Sequence, residues 1–235
     1  MRPDRWARCI AVGLLMAVQP GARCLADGAA VSIREAVEGR SFEACFNYGC
    51  ASRVPVLFLQ AELARIGELF GDVADATDER ERIAWALAEL YRLIGGQTPV
   101  FMDVAGNLRD EERQGRMDCI DHSATTTRLL ELMAEQGWLR HHEVLKPARR
   151  GWLFAQHFSA VIEERGEAVT VPDHVPVLLV QCDCPEVVHD IPARPPGTVI
   201  EPARFAVDTW FVDHGEPAVI LPLADWLNGE GPNVQ

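Results

Sequence analysis

The segment from Met117 to Ala124 joins a cysteine to residues that commonly begin a helix. Asp118 is placed to cap a helix over residues 118–136, and Asp121, three residues later, would complete an acidic capping box. Cys119 would then take the first helical position, where the helix dipole and free backbone N–H groups favour a thiolate and can bind an oxyanion. The charges of Asp118 and Asp121 oppose the thiolate, so activation of Cys119 requires a basic partner.

Two residues further along the chain could supply and orient that partner. His157 lies in a predicted strand whose alternation groups it with small residues such as Ser159 and separates it from Phe158. Asp208 lies among aromatic and β-branched residues, where burial of an unpaired carboxylate would be costly. An imidazole N–H on a neighbouring strand would satisfy that carboxylate and fix the tautomer of the ring. Cys119, His157 and Asp208 are therefore the predicted catalytic residues.

The first half of the chain has the hydrophobic spacing of helices. This spacing predicts a helix over residues 56–70, a second from a cap at Thr77 to the Gly95-Gly96 pair, and the third over residues 118–136. The buried face of the second helix is predicted to consist of Ile83, Leu87, Leu90, Tyr91 and Ile94.

The second half has the alternation of strands, over residues 138–145, 152–163, 168–171 and 177–180. Arg165-Gly166 is a predicted hairpin turn, and His141-His142 is expected to be a half-exposed strand pair. Seven prolines between residues 172 and 203 favour an extended loop. A last hairpin is expected over residues 205–212 and 218–221, followed by a short helix that holds Trp226. Helices followed by antiparallel strands predict an α+β fold.

The first residues have the features of a secretory leader. Arg2, Arg5 and Arg8 make a positive start, and the apolar run over residues 10–18 is too short to span a bilayer. Cys24-Leu25-Ala26 offers small residues at the positions that a signal peptidase recognises. We therefore expect a signal peptide over residues 1–26, export to the periplasm or the extracellular medium, and a single domain over residues 27–235.

The charge of the chain limits its partners. The net charge is −13 at pH 7, and removal of the leader would take away four arginines but only one aspartate. Such a chain repels nucleic acids and anionic lipids, and no basic stripe counteracts this. No segment after the leader is apolar enough to cross a membrane, so we expect no nucleic-acid partner and no membrane insertion after cleavage.

Five of the seven cysteines lie beyond the predicted leader, in a compartment where thiols tend to pair. Cys45–Cys50 is an easy pairing, whereas a Cys182–Cys184 ring would be strained, and cross-pairing between the two segments stays open. Cys119 is left over as a free thiol.

Two segments could bind a metal. Cys182 and Cys184, with His174 or His189, could hold a soft metal ion if their thiols are not paired. An acidic loop before Cys119 could bind calcium, but it lacks the spacing of an EF-hand and is more typical of a solvated loop. Its residues are Asp103, Asn107, Asp110, Glu111 and Glu112. The predicted chemistry itself needs no cofactor.

The order of these motifs resembles the transglutaminase-like branch of the papain-type folds. Residues 118–124, Asp-Cys-Ile-Asp-His-Ser-Ala, are similar to the Asp-Cys-Glu-Asp-Tyr-Ala stretch of bacterial transglutaminase-like cysteine peptidases. The resemblance covers residues of the order of 97–227 and implies a nucleophile at a helix start packed on an antiparallel sheet. It implies Cys119 as nucleophile, His157 as general base and acid, and Asp208 as the orienting residue. Ile120 replaces an acidic residue next to the calcium site of some of these peptidases, and His122 replaces an aromatic residue.

The resemblance implies an exported, thiol-dependent hydrolase or acyltransferase that acts on peptide or carboxamide bonds. A thioester on Cys119 would pass to water in a hydrolase and to an amine in a crosslinking enzyme, with proteins or cell-wall peptides as substrates. Two alternatives stay open. One is a non-catalytic binding or scaffolding module of the cell envelope on the same fold, and the other is a metal-binding protein that uses Cys182 and Cys184.

Overall fold

The computed structural model describes residues 38–106, 113–152, 155–166, 169–170 and 199–232. The predicted signal peptide, the strand expected over residues 177–180 and the segment with Cys182 and Cys184 lie outside these ranges. Within them the chain is an α+β protein, in which helices are followed by an antiparallel sheet. None of the described helices is long and apolar enough to cross a membrane.

The described chain begins with an antiparallel hairpin of β1 (Gly39–Phe46) and β2 (Ser52–Leu59). Val56 and Phe58 point into the core, whereas Leu57 and Leu59 between and after them are exposed. This alternation is that of a strand, so the helix predicted from residue 56 begins only at Gln60. The helix, α1 (Gln60–Gly67), continues as a 3-10 turn at Glu68–Phe70.

Two longer helices follow and pack together. Helix α2 (Ala76–Gly95) is capped by Asp75, whose side chain accepts from the amides of Thr77 and Asp78, and the cap predicted at Thr77 is therefore wrong by two residues. All five residues predicted for its buried face are buried. A 3-10 turn at Pro99–Met102 leads towards α3 (Cys119–Glu135), which starts where the sequence predicted.

The four-stranded sheet has the order β3-β4-β7-β8. Its members are β3 (His142–Trp152), β4 (Ala155–Glu164), β7 (Arg204–Asp208) and β8 (Val219–Pro222). The strand predicted to begin at residue 138 therefore begins four residues later, at His142. The register of β3 with β4 is irregular between Leu145 and Ala148, where Pro147 has no N–H to donate. The last hairpin and the short helix α4 (Leu223–Leu227) are confirmed.

Two short strands form a separate pair, β5 (Val169–Thr170) with β6 (Val199–Ile200). Strand β4 pairs with β3 and β7 instead of β5. Among the described residues, the hairpin predicted at Arg165-Gly166 is therefore not formed.

Alternate residues of the strands point to opposite faces of the sheet and pack in two separate hydrophobic clusters. Ile162 of β4 and Val207 of β7 join the main core, which packs α2 and α3 against the sheet and the first hairpin. Ala206 points to the other face, where it packs with Phe211 and Trp226. Since side chains alternate along a strand, Asp208 lies on the same face of β7 as Ala206.

A buried hydrogen bond between a carboxylate and a histidine attaches α2 to the beginning of β3. Glu79 and His142 are both 0% exposed, and His142 Nδ1 lies 2.9 Å from Glu79 Oε1. The amides of Arg140 and His141 donate to the same carboxylate over 2.7 and 3.0 Å. Burial acts to raise the pKa of Glu79, but these hydrogen bonds outweigh it and hold the pKa below its ordinary value. The half-exposed position expected for His142 is therefore wrong.

Candidate active site

Cys119 is the first residue of α3, and its thiol is free and half-buried. Asp118 Oδ1 accepts from the amides of Ile120 and Asp121 over 3.0 and 2.9 Å, while Asp121 Oδ2 accepts from the Asp118 amide over 3.2 Å. The predicted acidic capping box is thus formed. It fixes the direction in which the chain enters the helix and therefore the position of Cys119.

The turn of the first hairpin closes over this cap. Residues 47–50 all have positive φ, and a disulfide between Cys45 and Cys50 closes the turn. The amides of Tyr48 and Gly49 donate to Asp121 Oδ2 and Asp118 Oδ2 over 2.8 and 3.0 Å, and the Cys50 amide donates to Asp121 Oδ1. The easy pairing of Cys45 with Cys50 is confirmed.

These contacts leave Asp121 buried beside a second carboxyl group. Burial raises its pKa to about 6, with a further contribution from the charge of Asp118 and against the amides that donate to it. The carboxyl of Asp121 is therefore protonated in an appreciable fraction of molecules near pH 6.

His157 and Asp208 are in direct contact across the sheet. His157 Nε2 lies 2.6 Å from Asp208 Oδ2, and Asp208 is only 2% exposed. Trp226 Nε1 donates to the same oxygen over 2.8 Å, and the Trp210 amide donates to Oδ1 over 3.1 Å. Asp208 is therefore a buried acceptor, and its contact leaves Nδ1 as the nitrogen of His157 that can exchange a proton with a substrate or a thiol.

Aromatic rings surround the imidazole of His157. The ring centroids of Trp210, Phe211 and Trp226 lie 4.8, 5.4 and 5.6 Å from that of His157. Trp226 is fully buried, whereas Trp210 is half-buried. The rings shield the contact between His157 and Asp208 from water, which strengthens it.

Cys119 lies against the strand that carries His157. Its Sγ is 3.7 Å from the carbonyl oxygen of Gln156, and the amide of Phe158 is close enough to favour the thiolate. The register of β4 with β7 ends at Ala160–Val207, so this contact lies beyond the part of β4 that β7 covers. The residues on both sides of His157 thus contact the thiol of Cys119, and the charge of Asp208 also acts on it.

The thiol of Cys119 is less acidic than an ordinary cysteine. Burial raises its pKa, and the charges of Asp118 and Asp208 add to that effect. The amides of Phe158 and of Cys119 itself lower the pKa but do not compensate. The favourable effect expected from the helix start is therefore outweighed, and the resting thiol is protonated at neutral pH.

The described residues contain one group of three potential metal ligands within 4.8 Å of one another, namely Cys45, Cys50 and Asp121. Both sulfurs are in a disulfide and cannot act as thiolate ligands in this state. Asp103, expected in a solvated acidic loop, is buried and binds His122 and the Met117 amide. The other residues of that loop, and all four of the Cys182 segment's candidate ligands, lie outside the described ranges.

Two contributors to this site were missed by the sequence reasoning. Trp226 is placed by the sequence in a short helix, but its N–H bond to Asp208 depends on how that helix packs, which no local pattern indicates. His122 was noted only as a departure from a motif, although its position one turn after Cys119 was a usable signal.

Comparison of the chain with protein-family models, with curated proteins and with solved structures finds no match.

Proposed function

We propose that this protein is an exported cysteine-dependent hydrolase or acyltransferase with a transglutaminase-like arrangement of its site. Cys119 is the nucleophile, His157 the general base and acid, and Asp208 the residue that orients the imidazole. The observation that carries the proposal is the buried 2.6 Å contact between His157 and Asp208 on a strand whose backbone, one residue before His157, contacts the free thiol of Cys119. Three dispersed residues of the types that acyl transfer requires support this function better than a purely structural role.

The reaction begins with a neutral thiol. As the sulfur attacks a carboxamide or peptide carbonyl, the thiol proton passes to Nδ1 of His157, and Asp208 stabilises the imidazolium at Nε2. The carbonyl oxygen becomes an oxyanion beside the start of α3. Since Asp118 occupies the amides of Ile120 and Asp121, the Cys119 amide is the donor left for it.

The tetrahedral intermediate then expels the amine. The imidazolium returns its proton to the leaving nitrogen, the C–N bond breaks, and a thioester remains on Cys119. Water or a second amine attacks the thioester, with His157 again taking the proton of the attacking group. Water gives a hydrolase and an amine gives a crosslinking enzyme, both acting on proteins or cell-wall peptides.

A non-catalytic binding or scaffolding module is the second candidate. The raised pKa of Cys119 and its carboxylate neighbours favour it, because a thiol that stays protonated is a poor nucleophile. The two candidates differ in whether His157 increases the reactivity of Cys119.

Alkylation by iodoacetamide between pH 6 and pH 9, followed by mass spectrometry of Cys119, tests the proposal. Because the thiol pKa is raised, we expect slow alkylation at pH 6 and a rate that climbs steadily towards pH 9. His157→Ala should slow the reaction at pH 8 by about tenfold or more, because the neutral thiol loses the base that takes its proton as the sulfur attacks. His141→Ala removes a histidine whose backbone amide, not its ring, makes its contact with Glu79, and serves as the control with an unchanged rate.

An equal rate in the wild type and His157→Ala at every pH would refute the catalytic proposal. The binding module would then be the better account of the same fold.

A further inference from the structure

A second buried histidine–carboxylate pair lies close to the first. His122 is on α3, one turn after Cys119, and is 4% exposed. Its Nε2 lies 3.0 Å from Asp103 Oδ2, and its Nδ1 lies 2.9 Å from Thr209 Oγ1. Both ring nitrogens are thus engaged inside the protein, so His122 is not free to exchange a proton with a substrate.

The hydroxyl groups beyond Thr209 continue this network. Thr126 Oγ1 lies 2.9 Å from Thr209 Oγ1 and also 2.9 Å from the hydroxyl of Tyr91. Burial raises the pKa of Tyr91, so its hydroxyl stays neutral and can donate. A single direction of donation satisfies every member: Tyr91 to Thr126, Thr126 to Thr209, Thr209 to Nδ1 of His122, and Nε2–H of His122 to the carboxylate of Asp103.

The two hydrogen-bond partners of His122 contact the chain on either side of the candidate site. Asp103 Oδ1 accepts from the amide of Met117 over 2.7 Å, two residues before Cys119. Thr209 directly follows Asp208, the acceptor of His157, at the end of β7. His122 therefore joins the start of the nucleophile helix to the strand end that holds the carboxylate.

Among the described residues, no backbone hydrogen bond joins the start of α3 directly to the end of β7, although the Gly106 amide donates to the Trp210 carbonyl over 3.0 Å. Cys119 is the first residue of α3, directly after the N-cap Asp118, whereas Asp208 is the last residue of β7, which pairs with β4 and β8. Side chains therefore contribute to fixing the position of the helix start relative to the strand end. The imidazole of His122 connects the two segments with one hydrogen bond to Asp103 and one to Thr209. A buried polar network of this kind favours a single arrangement, because a buried polar group without its hydrogen bond is costly.

We propose that His122 is a positioning residue, which holds the His157–Asp208 pair in register with the thiol of Cys119. This inference rests on the proposed function, since it assigns His122 a role in that same site. His122 touches neither the substrate nor the reacting atoms, and it acts through Thr209 and Asp103.

A mutant cycle on the alkylation of Cys119 tests the proposal. His122→Phe keeps a ring of similar size but removes both hydrogen bonds, and we expect it to slow alkylation at pH 8 severalfold in folded protein. The double variant His122→Phe with His157→Ala should be no slower than His157→Ala alone, because His122 acts only through that pair. Ser123→Ala is the matched control, since its hydroxyl donates only to the Ile120 carbonyl of the same helix, and its rate should equal that of the wild type.

A merely structural role gives a different result. It would lower the melting temperature of His122→Phe while the alkylation rate of the folded protein, and its dependence on His157, stayed as in the wild type. That result would overturn the proposal. If His122→Phe does not fold, the variants Thr209→Val and Thr209→Ser test the proposal instead. Alkylation of Cys119 should be slow in Thr209→Val, which lacks the hydroxyl, and as fast as in the wild type in Thr209→Ser, which keeps it. Equal rates in that pair would also overturn it.

Failure of the proposed function can be told apart in the same experiment. If His157→Ala reacts as fast as the wild type, the catalytic proposal fails and the role of His122 fails with it. If His157→Ala is slow while His122→Phe and Thr209→Val are fast, the His157 assignment stands and only the positioning role is lost.

Discussion

Asp208 receives three hydrogen bonds, from His157, from the indole of Trp226 and from the amide of Trp210. The two tryptophan contacts hold the carboxylate in place whichever proton state His157 adopts. A carboxylate fixed in this way selects the His157 tautomer with hydrogen on Nε2, and in the proposed mechanism Nδ1 is then the acceptor for the thiol proton. The neutral thiol of Cys119 makes that tautomer decisive, since no preformed thiolate can substitute for proton transfer.

Asp208→Asn should therefore inactivate the site without unfolding the protein. An asparagine has only one acceptor oxygen, so it cannot accept from His157 and Trp226 at one end and from the Trp210 amide at the other, and the negative charge that would stabilise the imidazolium is lost. We expect acyl transfer to fall by about 10²–10⁴-fold, the range of general-base catalysis, in steady-state kinetics with an activated ester. Asp225→Asn, which changes a carboxylate next to Trp226 on α4, is the control that should retain the rate. A retained rate in Asp208→Asn would remove Asp208 from the mechanism.

Much of this residue chemistry was predictable, because Cys119, His157 and Asp208 have local signatures: a cap, a strand alternation and a carboxylate among apolar residues. The raised pKa of Cys119 and the hydrogen bond between Trp226 and Asp208 could not be predicted from the sequence. They depend on burial and on packing between elements far apart in the chain. Asp103 was misjudged for the same reason. Its acidic neighbours suggested a solvated loop, yet its partner His122 lies 19 residues away.

At the scale of the elements, the first hairpin supports the site. Three backbone amides of its turn donate to Asp118 and Asp121, the two acids of the capping box of α3. The sequence predicted α2 and α3 well because their apolar spacing is regular. It missed β1 and β2, since β2 has a period-two pattern that runs directly into the helical pattern of α1 without a break at Gln60.

Loss of the Cys45–Cys50 disulfide should loosen this support. Closing so short a loop stabilises the folded state by about 2 kcal/mol through the entropy of the unfolded chain. The double variant Cys45→Ala/Cys50→Ala should therefore melt roughly 4–8 °C below the wild type, measured by circular dichroism without reductant.

Dithiothreitol provides the control for this comparison. It should lower the melting temperature of the wild type to that of the double variant treated with the same reductant. A double variant that melts with the wild type would contradict the supporting role of the disulfide.

At the scale of the molecule, an α+β scaffold brings a thiol from the middle of the chain to a histidine and an aspartate from its last third. The two faces of the sheet have different neighbours. One face packs on α2 and α3, and the other carries His157, Asp208 and the Phe211–Trp226 cluster. The order of helices and strands followed from their periods, but the order of strands within the sheet, β3-β4-β7-β8, did not. It depends on long-range pairing that a single sequence leaves undetermined.

Turnover of a small activated ester tests the central claim most directly, because it asks whether Cys119, His157 and Asp208 together perform acyl transfer. With p-nitrophenyl acetate in excess, we expect a burst of nitrophenolate equal to the enzyme present, then slower steady release as water hydrolyses the thioester. Mass spectrometry should find the acetyl group on Cys119, Cys119→Ala should give neither phase, and His157→Ala should slow both. An acetyl group that forms on Cys119 at the same rate in His157→Ala and is never released would contradict catalysis by this site.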